Sequence, residues 1–218
     1  MNEEEGLTFN LTYERQPFFL RGSQKNINRW LAQLRLPPDA PRSEVMRKMG
    51  YNISPAFDNA GIDRDLDVAN NVQYADTMDS HRLAWYASSV DAEKGERMWR
   101  ALSRRYFQGK DTEIRPIRLD SRAMLLECAE EVGLDLKEAE RVLDSDVYRA
   151  EILDVVEKMH AAGIDSIPVL CFEVDGIAQG SWLENPRSRG RIIHHGSGDK
   201  SEFRRIFQRL HGLCSASM

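Results

Sequence analysis

The 218-residue chain is poor in cysteine. It has three, Cys128, Cys171 and Cys214, and no two stand at Cys-x-x-Cys spacing. An odd number without paired spacing argues against a disulfide scaffold and against a four-cysteine zinc site. No apolar run approaches the roughly 18 to 20 residues that a membrane-spanning helix needs. Residues Met1 to Gly6 are acidic and polar and do not read as a secretory leader, so a cytoplasmic location away from the membrane is expected. Excess positive charge is missing as well. The formal net charge is −5, which argues against a nucleic-acid partner, because such binding relies on clustered Lys and Arg. Two basic stretches, Arg97 to Arg105 and Arg187/Arg189/Arg191, read as a solvated helix face and a solvated loop. No Ser-His-Asp order, phosphate-cradling glycine loop or metal-spaced carboxylate set stands out.

Hydrophobic residues make up 41% and charged residues 30%, a balance suited to one large globular domain or a domain with a sizeable insertion. Leu7-Thr8-Phe9-Asn10-Leu11-Thr12-Tyr13 alternates apolar and polar residues and predicts a strand with one buried face. From Gly22 to about Ala162 the periodic segments are helical. Helices are expected around Asn28 to Leu34 and from Ser43, a natural N-cap, to Met49, with the proline-rich loop Leu36 to Pro41 between them. Leu83, Tyr86, Ala87 and Val90 form one helical stripe, and Trp99, Leu102 and Tyr106 another that ends at Gly109. Met124, Leu125, Cys128, Ala129 and Val132 form a third, closed by Gly133. Asp135-x-x-Glu138 resembles a capping box, and Ile152, Val155, Val156 and Met159 mark a long helix that stops at Gly163.

The periodicity then changes. Ile167 to Val174 is a short apolar run before the turn residues Asp175-Gly176, and it predicts a buried strand. Residues 177 to 190 read as a long surface loop, Arg191 to His195 as a second strand, and Asp199-x-x-Glu202 as the cap of a helix with the stripe Phe203, Ile206, Phe207 and Leu210. His194 and His195 are adjacent on a strand, so they point to opposite faces and cannot share a metal. The expected architecture is an α/β domain from residues 1–22 and 163–214, with residues 23–162 as an all-helical insertion.

Four segments, in order and covering roughly residues 7 to 211, resemble the DsbA-like thioredoxin family, in particular its FrnE-like branch. Tyr13-Glu14-Arg15-Gln16-Pro17-Phe18-Phe19-Leu20 resembles W-R-P-F-E-L, and Ala69 through Asp79-Ser80-His81-Arg82-Leu83 resembles the N-T-x-x-A-H-R-L helix. Arg105-Tyr106-Phe107-Gln108-Gly109-Lys110-Asp111 resembles A-Y-F-x-x-G-x-D. Gly163-Ile164-Asp165-Ser166-Ile167-Pro168-Val169 resembles the G-V-x-G-V-P-x-F segment that carries the family's cis-proline. The family is also related to kappa-class glutathione transferases and 2-hydroxychromene-2-carboxylate isomerases.

The resemblance implies a thioredoxin-like fold and a thiol–disulfide oxidoreductase lineage, but the N-terminal β-α unit with its Cys-x-x-Cys has no counterpart here. Redox exchange needs a thiolate activated at a helix N-terminus and a second, resolving thiol. The chain as it stands is therefore expected to be redox-inactive. It is either a truncated form of an active enzyme, or a variant whose sheet gap is filled by another segment, a partner chain or a second copy. The resemblance further implies that Ile167 and Pro168 form a substrate groove for a peptide or protein thiol. Ser197 and Asp199, in His195-Gly196-Ser197-Gly198-Asp199, resemble the kappa-class turn that holds glutathione. Asp199 reads also, and more simply, as a plain N-cap. The alternative function is a non-redox peptide- or glutathione-binding protein. No resident cofactor is expected, with glutathione the one small ligand considered. Cys128 and Cys171 read as buried thiols, and His81 as a hydrogen-bonded structural residue.

Overall fold

The computed structural model describes residues 10–20, 22–51 and 54–215. The chain divides into two compact units, one drawn from residues 1–16 and 154–218 and the other from Pro17–Leu153. The molecule is helix-rich, with one small two-stranded sheet among the described residues. No described helix is long and apolar enough to cross a membrane.

Between residues 17 and 153 the described regular elements are helices. Helices α1 (Gln24–Gln33) and α2 (Arg42–Met49) bury Ile27, Leu31, Leu36, Ala40 and Val45 as one small core. Helix α2 begins one residue before the expected Ser43 cap. The Arg42 N–H donates to the Val72 carbonyl (2.8 Å), and Pro41, already fixed near helical φ, takes the N-cap place. Two short helices, α3 (Ser54–Asn59) and α4 (Leu66–Asn70), lie outside the periodic segments read from the sequence; they span too few turns to display a stripe.

Helices α5 (Met78–Val90), α6 (Ala92–Ser103), α7 (Arg122–Glu131) and α8 (Leu136–Leu143) build the main core around Leu83, Met98, Leu102, Met124, Leu125 and Val142. Helix α5 has α6, α7 and α8 for neighbours. It therefore buries His81, Arg82 and Ala84 besides Leu83 and Ala87, while Val90, assigned to its stripe from the sequence, is 50% exposed at the helix end. After Ser103 the chain runs through a five-residue π-helical segment, Arg104–Gln108, ended by Gly109 in the left-handed conformation. The basic stretch is a solvated face only in part: Arg97 and Arg100 are exposed, and Arg105 is not. Arg105 is buried in the π-helical segment and donates to Glu131 at the end of α7 (2.7 Å).

Helices α5 and α6 approach closely where Gly95 meets Ser88. A Cβ at Gly95 would lie 2.9 Å from Ser88 Cα, with the Ser88 hydroxyl nearer still. Gly95→Ala is expected to destabilise the protein by about 1–3 kcal/mol through overpacking, read as a lower urea midpoint at an unchanged slope.

In the other unit, β1 (Val169–Glu173) pairs antiparallel with β2 (Arg191–His195) in the register Val169↔His195, Cys171↔Ile193 and Glu173↔Arg191. Helix α10 (Lys200–Ser215) lays Phe203 and Phe207 against Phe172, with ring centroids 6.2 and 5.8 Å apart. Helix α9 (Arg149–Ala161) contains the boundary between the units. The expected strand Leu7–Tyr13 falls partly outside the described residues. Its described part, residues 10–13, is not in a strand, and Leu11 and Tyr13 are 59% and 63% exposed. Alternation supplies strand propensity, but with no described neighbour pairing those residues there is no ladder to hold it.

Candidate functional site

The hairpin gathers the residues that the sequence singled out. The Ile167–Pro168 peptide bond is cis, as is Arg115–Pro116. The Gly196 N–H donates to the Pro168 carbonyl at 2.9 Å, so the start of β1 and the Gly196–Asp199 turn sit side by side at one end of the hairpin. Ile167, Pro168 and Ser197 therefore come together, with Ile167 exposed at 51%. Gly198 approaches His194 and Phe203 closely: an added Cβ would lie 3.0 Å from His194 Nε2.

Asp199 works for its own helix. Its Oδ1 accepts from the N–H groups of Ser201 (2.7 Å) and Glu202 (2.9 Å) and from the Ser201 hydroxyl (2.7 Å), while Glu202 Oε2 accepts from the Asp199 N–H (2.9 Å). This is a complete capping box. The Ser201 hydroxyl and the Glu202 N–H hold the Asp199 carboxyl below the usual carboxylate range.

In an antiparallel pair, successive residues turn their N–H and C=O groups alternately toward and away from the partner strand. Gly196 donates to Pro168, and Val174 donates to the Gly190 carbonyl at 2.9 Å. Even-numbered residues of this segment therefore face β2. Val169, Cys171 and Glu173 turn their main-chain groups to the opposite edge, where no strand pairs among the described residues.

None of this amounts to thiol chemistry. Burial, and then the Glu173 carboxylate, push the Cys171 thiol up to about 12, and its Sγ lies 3.6 Å from Glu173 Oε1. Burial pushes Cys128, which has no exposed surface, up to about 12 as well. Both stay protonated near neutral pH, whereas a reactive thiol needs a lowered pKa. Among the described residues no group of His, Cys, Asp and Glu is placed to hold a metal ion.

The sequence pattern groups Arg191 with a solvated loop, and the structure places it inside. It is 7% exposed and donates to Glu173, to the Gly180 (2.6 Å) and Ser181 (3.2 Å) carbonyls, and to the Asn185 carbonyl. Residues 177–190 thus close over β2 around one guanidinium, which has enough donors to hold several carbonyls at once. The charge pattern could not reveal this, because the acceptors are main-chain oxygens. A comparison with protein-family models and with curated proteins finds no match to this chain.

Proposed function

We propose that this chain is a DsbA-type, thioredoxin-fold relative that holds an extended peptide along β1 without exchanging disulfides. The observation that carries the reading is the outer edge of β1. There the main-chain groups of Val169, Cys171 and Glu173 turn away from β2, next to the exposed Ile167. An edge of this kind accepts an added strand, with main-chain hydrogen bonds giving affinity. The four-segment resemblance supports the same place, since it implies that the residue before the cis-proline meets substrate. Glutathione, itself a short peptide, fits the same end of the hairpin beside Ser197. Asp199 is already committed to capping, which favours a longer peptide over a dedicated glutathione site. A second copy of the chain laid along β1 is the competing occupant.

The test uses the full chain and a tagged, unstructured peptide such as reduced insulin B chain. Insulin reduction with dithiothreitol is expected to run at the uncatalysed rate. Cys171→Pro removes one outward N–H without touching a β1–β2 bond, because proline is tolerated on an edge strand. It is expected to weaken peptide binding about tenfold, while Cys171→Ser leaves it unchanged. Catalysed insulin reduction, or equal peptide affinity in Cys171→Pro, would overturn the reading. A concentration-dependent dimer that Cys171→Pro abolishes would assign the edge to a second copy.

A further inference from the structure

Within residues 17–153 the π-helical segment leaves a large aromatic side chain, Phe107, 40% exposed. Its ring packs on Phe57 of α3, with centroids 6.4 Å apart, and lies 5.3 Å from the buried Arg42 guanidinium. Phe107 is also one wall of a cavity of about 70 Å³ that is open on one side. The walls are largely apolar, Trp99, Leu102, Tyr106 and Leu119 among them, with three short hydroxyl side chains besides. Of the lining residues only Phe107 is exposed, so this side chain joins the cavity to the surface.

The ion pairs around Phe107 have unequally exposed ends. Arg64 stacks on the Phe57 ring (4.6 Å) and donates to Asp58 (3.2 Å). The Arg64 side chain is 3% exposed, whereas that of Asp58 is 67% exposed. Lys110, in the turn after the π-helical segment, pairs with Asp63, and here the cation is 34% and the carboxylate 86% exposed. Asp65, whose N–H donates to the Gln108 carbonyl at 2.7 Å, and Asp67 are exposed as well. The cations are drawn inward and the carboxylates meet solvent.

An apolar socket with a carboxylate border selects its partner. Exposed apolar groups rimmed by polar ones mark interaction sites, and a border of one charge favours a partner of the other. A second copy in a two-fold dimer would bring the same carboxylates against this face, which like-charge repulsion opposes. The cavity has about half the volume of the engineered one that accepts benzene, so it admits an aliphatic side chain better than an aromatic ring. We propose that this face docks a basic segment of another protein. One aliphatic side chain of that segment enters the cavity beside Phe107, while flanking lysines or arginines meet Asp58 and Asp63. This does not depend on the peptide edge of β1, which belongs to the other unit.

The full chain is titrated at low ionic strength with the end-blocked peptides Lys-Lys-Leu-Lys-Lys, Lys-Lys-Ala-Lys-Lys and Glu-Glu-Leu-Glu-Glu. Trp99 lines the cavity, so its fluorescence reports occupancy, with Trp99→Phe as the blank; the peptides carry no fluorophore. Saturable binding of the lysine–leucine peptide is expected, at least about fivefold tighter than the alanine peptide because more methylenes are buried. The glutamate peptide is expected not to bind. Asp63→Lys is expected to weaken binding about fivefold, whereas Glu140→Lys, the same charge change at an exposed site on α8, leaves it unchanged. No saturable binding of the lysine–leucine peptide, equal affinity for the alanine peptide, or equal effects of Asp63→Lys and Glu140→Lys overturns the proposal. Self-association of the peptide-free chain that Asp63→Lys abolishes would give the face to a second copy and overturns it too. The leucine–alanine comparison in the unsubstituted protein decides it even if a variant does not fold.

Discussion

Replacing Arg82 with alanine is expected to destabilise the helical unit by about 3–5 kcal/mol, the scale on which a buried charge network fails when one member is removed. Arg82 is 1% exposed in the middle of α5. Its Nε donates to the Val147 carbonyl (2.8 Å), Nη1 to Asp79 (2.8 Å), and Nη2 to the Val142 and Ser145 carbonyls. The three carbonyls belong to the end of α8 and the turn after it. One guanidinium therefore terminates α8 and fastens it to α5. Alanine leaves those carbonyls short of donors and opens a cavity as well. Arg82→Met fills the space without restoring a donor, so most of the loss is expected to persist. Arg82→Lys keeps the charge but cannot fan out to three oxygens and is expected to recover only part. Single domains are held by about 5–15 kcal/mol in all, so the alanine protein should show a much lower urea midpoint. An unfolding free energy within about 1 kcal/mol of the parent's would show that water replaces these bonds at little cost.

Mild acid is expected to remove about 3 kcal/mol through His81 alone. Burial drives its pKa from 6.5 down to about 4, with the Phe18 hydrogen bond opposing only in part. The folded protein therefore binds this proton less readily than the unfolded chain. Stability is complete above about pH 6.5 and declines as pH falls toward 4, where the unfolded state takes up the proton and the folded state resists it. Urea denaturation at pH 7 and pH 4.5 should separate the parent from His81→Gln, whose neutral amide cannot titrate. The parent should lose more than the variant by roughly 2–3 kcal/mol. Parallel losses in the two proteins would place the acid sensitivity elsewhere.

The elements that the sequence revealed best are those whose burial follows a single stripe. Met124, Leu125, Cys128, Ala129 and Val132 are all buried, and Gly133 closes α7 with a left-handed φ of 71°. Arg191 to His195 is a strand with the expected bounds, and Asp199 and Glu202 form the expected box. What stayed hidden depends on tertiary partners. Arg82, Arg105 and Arg191 look like surface charges in the sequence, yet each is buried against main-chain carbonyls or carboxylates that come from distant residues. Among the candidate residues, the motifs single out Ile167, Pro168 and Ser197. Their convergence depends on the Pro168–Gly196 hydrogen bond, which pattern alone does not specify. The outward turn of Val169, Cys171 and Glu173 follows from the register, and a register is known only once both strands are paired.

The unit built from residues 1–16 and 154–218 is interrupted by the whole of the other. On a ribosome its first piece emerges early and must wait while Pro17–Leu153 is made. The helical unit is contiguous and complete once Leu153 has left the exit tunnel, so it can fold before the hairpin and α10 exist. The hairpin unit cannot be completed until β2 and α10 have followed. The β1 edge is thus synthesised after residues 17–153, and any strand that fills it meets a helical unit that can already have folded.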